Sequence, residues 1–243
     1  MDPLTIGMLS VGAIVVLVYL GLYIPVALGL VSFVSIWLMS GKSILAFNFL
    51  KVAVGDGVTE YNFATIPLFT LMGLLVSRAR LGRDIYDVMN SAFRKVLAGI
   101  GMATVGANAV FAAITGSSIA SASVFTKISV PEMLRYNYNK RFAVGVVAGS
   151  SVLGMIIPPS AMLIIYSFVA EQSVGDMFLA GIIPGLILTG VYVAAIYVMA
   201  RVWPSYVGED ISADELPAMP GAEMFRKTWP VASLILLVLG GIY

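Results

Sequence analysis

Val96–Thr126 reads VLAGIGMATVGANAVFAAITGSSIASASVFT, 31 residues without a charged side chain. Basic clusters bound it on both sides: Arg78, Arg80, Arg83, Arg94 and Lys95 before it, and Lys127, Arg135, Lys140 and Arg141 after it. Lys and Arg in the short loops of a membrane protein stay on the cytoplasmic side. A stretch between two cytoplasmic clusters must cross the bilayer an even number of times, or enter and come back. The run therefore reads as a re-entrant helical hairpin opening to the cytoplasm. Each arm has about 15 residues and reaches about 22 Å at 1.5 Å per residue. That gets to the middle of a roughly 30 Å hydrocarbon core without clearing it. One long tilted helix, with a basic cluster on the far side, is the alternative. Of the 26 residues of Ala98–Ser123, 18 are Gly, Ala, Ser or Thr. Such small residues let helix backbones approach closely in lipid, in a hairpin or in an ordinary bundle.

The rest of the chain agrees with a bilayer as solvent. It has 243 residues, 60% hydrophobic and 11% charged, with a mean hydropathy of +0.98. A soluble domain of this size cannot hide that much apolar surface, and a disordered chain does not carry it. The composition is that of an all-α polytopic membrane protein. A net charge of +1 without a basic stripe gives no sign of nucleic-acid binding. There is no Cys and no His, which removes disulfides, thiolate metal sites, histidine-based hydrolysis and haem ligation by imidazole. The first positive side chain is Lys42, so the N-terminus lacks the basic start of a secretory signal.

Working outward, residues 1–60 hold two uncharged runs, Leu4–Leu20 and Leu22–Ser40, then a mixed stretch, Gly41–Glu60. That last stretch is too polar to span and apolar enough to lie in the interface as an arm helix. Residues 61–95 form a third span and a cytoplasmic basic loop, and residues 96–131 the hairpin. Residues 142–200 contain a 29-residue uncharged run, Phe142–Ala170, broken by Pro158-Pro159, and a following span. Residues 201–228 are a polar connector, and 229–243 begin a span that stops short. The basic clusters place the N-terminus outside, the third span ending inside, and Glu171 and Asp176 in an outer loop.

The hairpin tip, Thr115-Gly116-Ser117-Ser118, is a turn sequence: Gly for positive φ, then Ser as an N-cap. Non-helical backbone at mid-membrane survives only buried in protein or lining a wet cavity. The first arm ends there in unpaired carbonyls that favour a cation, and the second begins in unpaired N–H groups that favour an anion. Pro158 and Pro159 lack N–H groups, which frees the carbonyls of Gly154 and Met155. Kinked spans of this kind are common, but two breaks together match the paired discontinuous helices of secondary transporters. No Asp, Glu, Lys or Arg falls inside a span. The deep polar atoms are hydroxyls, Asn108 and freed carbonyls, hard oxygen ligands that point to Na⁺ rather than H⁺ as coupling ion. The expected Na⁺ ligands are Ser117, Ser118 and the carbonyls of Gly154 and Met155, then Ser151, Ser160 and Asn108. Thr115, Gly116, Ser117 and Ser118 are the expected substrate-binding positions.

Residues Ile114–Gly185 closely resemble the large membrane subunit of the tripartite ATP-independent periplasmic (TRAP) transporters. The resemblance rests on the Gly116-Ser117-Ser118 tip, Pro131-Glu132-Met133, Leu153-Gly154 with Ile157-Pro158-Pro159-Ser160, and Ala180-Gly181-Ile182-Ile183-Pro184-Gly185. Ile66-Pro67-Leu68-Phe69 with Met72-Gly73 adds the third span. The resemblance implies Na⁺-coupled import of an organic acid across the bacterial inner membrane, without a further cofactor. Its implied partners are a small four-span membrane subunit and a periplasmic substrate-binding protein. It implies an elevator-type fold of two inverted repeats, each with a re-entrant hairpin and a broken helix, of which this chain carries the first. Another ion-coupled organic-anion transporter of the same superfamily, or a passive scaffold subunit, would share most of these features. An intramembrane enzyme would need in-span carboxylates, a His, or a base beside Ser117 or Ser118, and the spans offer none.

The hairpin reading predicts that Arg83→Cys and Asn137→Cys, introduced singly, both react only with thiol reagents that reach the cytoplasm. Labelling of Asn137→Cys from the periplasm would mean that the 31-residue run crosses once.

Overall fold

A computed structural model describes residues 3–59, 65–208 and 219–240, and all regular elements among them are helices. The chain divides into two compact units, Met1–Phe63 and Ala64–Tyr243.

The first unit contains α1 (Pro3–Tyr19), α2 (Ile24–Ser40) and α3 (Ser43–Thr59). Pro25 sits in the first turn of α2, where a missing N–H costs nothing. Gly41 ends α2 at φ +68, its N–H bonded to the Trp37 carbonyl, the usual left-handed helix stop. α1 and α2 pack on each other, and the Ser10 and Ser35 hydroxyls meet at 2.7 Å, the kind of interhelical polar contact that holds helices together in lipid. Leu4, Val11, Val15, Leu28 and Trp37 remain exposed, an apolar surface too extensive for water. The stretch expected as an arm helix is helical, with Phe47 and Phe49 exposed and Ala46 buried.

The second unit contains α4 (Thr65–Arg78), α5 (Leu81–Phe93), α6 (Gly99–Thr115), α7 (Ser118–Arg135), α8 (Lys140–Ser151), α9 (Leu153–Ile156), α10 (Ala161–Val169), α11 (Val174–Val202), α12 (Pro204–Val207) and α13 (Gly221–Gly240). Helix α6 is the axis of this unit. It packs against α4, α5, α7, α8, α9 and α11, and Ile100, Met102, Val105, Phe111 and Ile114 along it are buried. Its small residues are what let so many neighbours approach one helix. α6 and α7 form a helical hairpin, joined by Gly116 and Ser117 and held below the turn by an edge-to-face contact of Phe111 on Phe125 at 5.5 Å.

Three sequence boundaries shift. The second arm does not stop with the uncharged run. It continues through Lys127, Pro131 and Glu132 to Arg135, which gives arms of 17 and 18 residues. Lys and Glu are good helix formers, so the loss of apolar character is no helix stop. The basic loop after α4 is largely the helix α5. Leu81, Ile85, Met89 and Phe93 recur every four residues and pack on the core while Arg83 faces out, a period hidden under the charge clustering. The last apolar run begins at Trp229, yet its helix begins eight residues earlier, at Gly221. Residues 209–218 of the connector, 241–243 of the last run, and 60–64, where the arm stretch gives way to the third span, lie outside the described residues.

α11, at 29 residues, is long and apolar enough to cross a membrane. α8 and α9 with α10 meet the same measure as one span bent by 44° at the proline pair. α1, α2, the apolar part of α3, α4 and α6 are apolar but shorter.

The polar start of α13 is tied to α5 by one cation. Lys227 Nζ lies 2.6 Å from Asp87, 3.6 Å from Glu223 and 3.8 Å from Asp84. The hydrogen bond to Asp87 holds the Lys227 ammonium above the usual lysine range against the opposing effect of burial. A raised lysine pKa gives stability that is complete below the unfolded value and lost as pH rises through the folded one. Because these groups are partly exposed, each pair is worth about 1 kcal/mol or less. Lys227→Met should therefore lower the melting temperature by only a few degrees. The difference from wild type should persist at neutral pH and shrink only in strong alkali; a difference that vanishes at neutral pH would exclude the ion cluster as its cause.

Candidate ion and substrate site

The site is built where the hairpin tip meets the break in the second helix. α6 ends at Thr115. Gly116 takes φ +58, and its N–H bonds back to the Ala112 carbonyl. That bond leaves the carbonyls of Ala113, Ile114 and Thr115 beyond the last helical donor. Ser117 is extended at φ −133, and its Oγ accepts from the Ala120 N–H at 3.3 Å, an N-cap for α7. The N–H groups of Ser118 and Ile119 are left over. Ser118 Oγ makes no hydrogen bond among the described residues. The tip thus brings the negative end of one helix and the positive end of another to one point.

The break has its own geometry. The Ile157 N–H closes α9 onto the Leu153 carbonyl at 2.8 Å. Ile157 itself is extended at ψ 123, the Pro158–Pro159 peptide is cis, and Ser160 is extended at φ −127. The Gly154 carbonyl is freed as expected, since Pro158 has no N–H. The Met155 carbonyl is not free: Ser160 Oγ donates to it at 2.8 Å. The pair expected as two separate ligands is therefore bonded to itself. Four non-helical residues, Ile157 to Ser160, separate the two helical pieces, so removing Pro158 alone does not restore a helical bond to Gly154.

Tip and break touch through glycines. A Cβ on Gly154 would stand 2.8 Å from the Ser118 nitrogen and from the Ser117 carbonyl carbon, and one on Gly116 would collide with the Pro159 carbonyl oxygen. Only glycine allows either approach. From the far side, α11 seats the break. A Cβ on Gly181 would lie 2.7 Å from the Ile156 carbonyl oxygen, and one on Gly185 2.6 Å from the Ile157 side chain. From α4, Gly73 leaves room for the Thr115 carbonyl, which would stand 2.9 Å from a Cβ there. Gly181 and Gly73 thus clear space for backbone carbonyls at the junction and Gly185 for the Ile157 side chain, a role that residue type alone does not reveal.

The structure gathers Thr115, Gly116, Ser117, Ser118, Gly154, Pro158, Pro159 and Ser160 at this junction. Three expected ligands are otherwise engaged. Thr115 Oγ1 donates to the Phe111 carbonyl at 2.9 Å, and Ser151 Oγ to the Ala148 carbonyl at 2.8 Å. Asn108, two turns below the tip, bonds Ser150. Nothing in the sequence singles out Ser150 beyond its place one turn before Gly154. Among the described residues no group of three or more Asp or Glu side chains is arranged to hold a metal ion.

Comparison with known proteins gives this constellation its family. Residues 11–243 match the model of the tripartite ATP-independent periplasmic transporter, DctM component. The C4-dicarboxylate TRAP transporter large permease protein DctM of Pseudomonas aeruginosa is 32% identical over 223 residues, covering 89% of this chain and 49% of that protein. The isethionate TRAP transporter permease protein DctMQ of Oleidesulfovibrio alaskensis is 28% identical over 245 residues, all of this chain and 36% of its own length. The sialic acid TRAP transporter large permease protein SiaM of Vibrio cholerae is 29% identical over 163 residues, 67% of this chain and 38% of its own length. The chain spans about half the length of the first of these curated relatives, and less of the other two. With the family model matched from residue 11 onward, and with the tip, the break and the Gly181–Gly185 seat falling on the residues that carry the resemblance, the chain belongs to the DctM family of TRAP transporter large membrane components.

Proposed function

We propose that this chain is part of the large membrane subunit of a Na⁺-coupled secondary transporter that imports an organic acid across the bacterial inner membrane. In this reading it works with a small four-span membrane subunit and a periplasmic binding protein, and its N-terminus is periplasmic. The hairpin and broken helix move together as part of an elevator-type transport domain, the first of two inverted repeats. The observation that carries the reading is the apposition of two interrupted helices, with Gly154 against Ser117 and Ser118.

The chemistry follows from what the junction leaves unpaired. The Ile114, Thr115 and Gly154 carbonyls and Ser118 Oγ are hard oxygens with no competing proton donor among the described residues, which suits an alkali cation. Ser117 Oγ, capping Ala120, and Ser160 Oγ, donating to Met155, each keep a lone pair. The Ser118 and Ile119 N–H groups offer an anion the positive end of α7, so cation and carboxylate share one junction and each lowers the cost of the other. The relatives' names give the substrate class some support: C4-dicarboxylate, isethionate and sialic acid are all organic acids.

Loss of one hydroxyl ligand weakens cation binding by about 1–3 kcal/mol. Ser118→Ala should raise the Na⁺ concentration for half-maximal uptake by about tenfold at normal expression. If it changes only the maximal rate, the ion lies elsewhere.

A glycine pair gives a second check. Gly154→Ala forces a methyl group into the Ser117–Ser118 backbone, while a Cβ on Gly145 in α8 meets nothing within 4 Å. Uptake should fall at least tenfold in Gly154→Ala and stay near wild type in Gly145→Ala. Equal effects of the two substitutions would show that closeness of tip and break is not what matters.

A further inference from the structure

Asn108 lies seven residues before the end of α6, about 10 Å down the helix axis from the tip. Its side chain is fully buried. Its Nδ2 donates to Ser150 Oγ at 2.6 Å, and Ser150 Oγ donates in turn to the Val146 carbonyl at 2.6 Å. Among the described residues this is the one side chain–side chain hydrogen bond between the hairpin and the broken helix. Asn108 Oδ1 is buried with no partner among the described residues. A leucine of similar size would avoid that unmet acceptor, so stability alone does not account for the amide.

What the amide does supply is register. The face that α8 turns toward the core here is Ala143, Val146 and Val147, all buried. Apolar faces of this kind pack well at more than one offset, whereas a directional bond accepts one. Ser150 stands one helical turn before Gly154, whose backbone rests on Ser117 and Ser118. A bond made at Ser150 therefore sets both the height and the rotation of the Gly154 carbonyl relative to the tip.

We propose that Asn108 is a positioning residue that, by clasping Ser150, holds the free carbonyl of Gly154 in register with the hairpin tip. This rests on the reading of tip and break as the ion site. The amide touches neither ion nor substrate and acts through the placement of the broken helix. A slip of that helix would pull one oxygen out of the coordination shell while leaving the fold intact.

The test uses the complete transporter in proteoliposomes, with Asn108→Leu, Ser150→Ala and the double variant, Ser150→Ala being the milder change if Asn108→Leu folds poorly. Two quantities are read: the Na⁺ concentration for half-maximal uptake, and the rise in melting temperature on adding Na⁺ to the purified protein. Each single variant should raise the Na⁺ requirement about threefold to tenfold, with maximal rate within about twofold of wild type. Each should also lose much of the Na⁺-induced stabilisation, and the double variant should be no worse than the worse single one. If wild type responds to Na⁺ and the variants match it, or lose only rate or stability, the clasp is structural and this proposal fails alone. Additive effects in the double variant would also overturn it. If wild type itself responds to Na⁺ in neither measurement, the ion site is refuted and the clasp with it.

Discussion

A backbone that leaves the helical state inside hydrocarbon carries polar groups that lipid cannot satisfy, and each costs several kcal/mol. In the proposed function the junction around Gly116 and Gly154 lies at that depth and is arranged by that constraint. Two interruptions are placed against each other, so that each covers the other's irregular backbone: Pro159 lies over Gly116, and Gly154 over Ser117 and Ser118. Some freed groups are satisfied locally, as Ser160 does for Met155 and Ser117 for Ala120. Those left over, the Gly154 and Thr115 carbonyls and the first N–H groups of α7, are the ones a bound cation and a carboxylate would satisfy. In the proposed function, the ligands complete the hydrogen-bonding and electrostatic balance of an otherwise under-satisfied fold.

The surrounding helices make this junction possible mainly by having little side chain. On α11, Gly181 admits the Ile156 carbonyl that ends α9 and Gly185 the Ile157 side chain, and Gly73 on α4 admits the last carbonyl of α6. Larger residues do the opposite work lower down, where Phe111 and Phe125 lock the hairpin arms. The unit is thus close-packed at its buried centre and sparing of volume at its tip, the combination needed if irregular backbone is to be both buried and reachable by a ligand.

Much of this was legible in the residues, for reasons that also explain what was not. The hairpin was visible because Val96–Thr126 is uncharged between two basic clusters, and its turn because Gly116 and Ser117 have the local chemistry of a helix stop and a helix start. The proline pair announced the break. Charge is a poor guide to helix ends, however. α5 was hidden beneath Arg83, Asp84 and Asp87, and α7 ran past Lys127 and through Pro131. Long-range pairings were also silent. Nothing near Met155 in sequence shows that Ser160 Oγ returns to its carbonyl, and nothing near Asn108 points to Ser150, 42 residues on. Such contacts depend on how helices are rotated against each other, which local composition does not encode.

The central claim is that one cation sits between the hairpin tip and the helix break. Its most direct measurement is a difference map from crystals of the complete transporter in which Na⁺ is replaced by thallous ion, an electron-dense stand-in. The account predicts a peak within coordination distance of the Gly154 carbonyl, Ser118 Oγ and the carbonyls that end α6, and loss of that peak in Ser118→Ala. A protein that still transports in response to Na⁺ but shows its peaks elsewhere, with this junction empty, would contradict it.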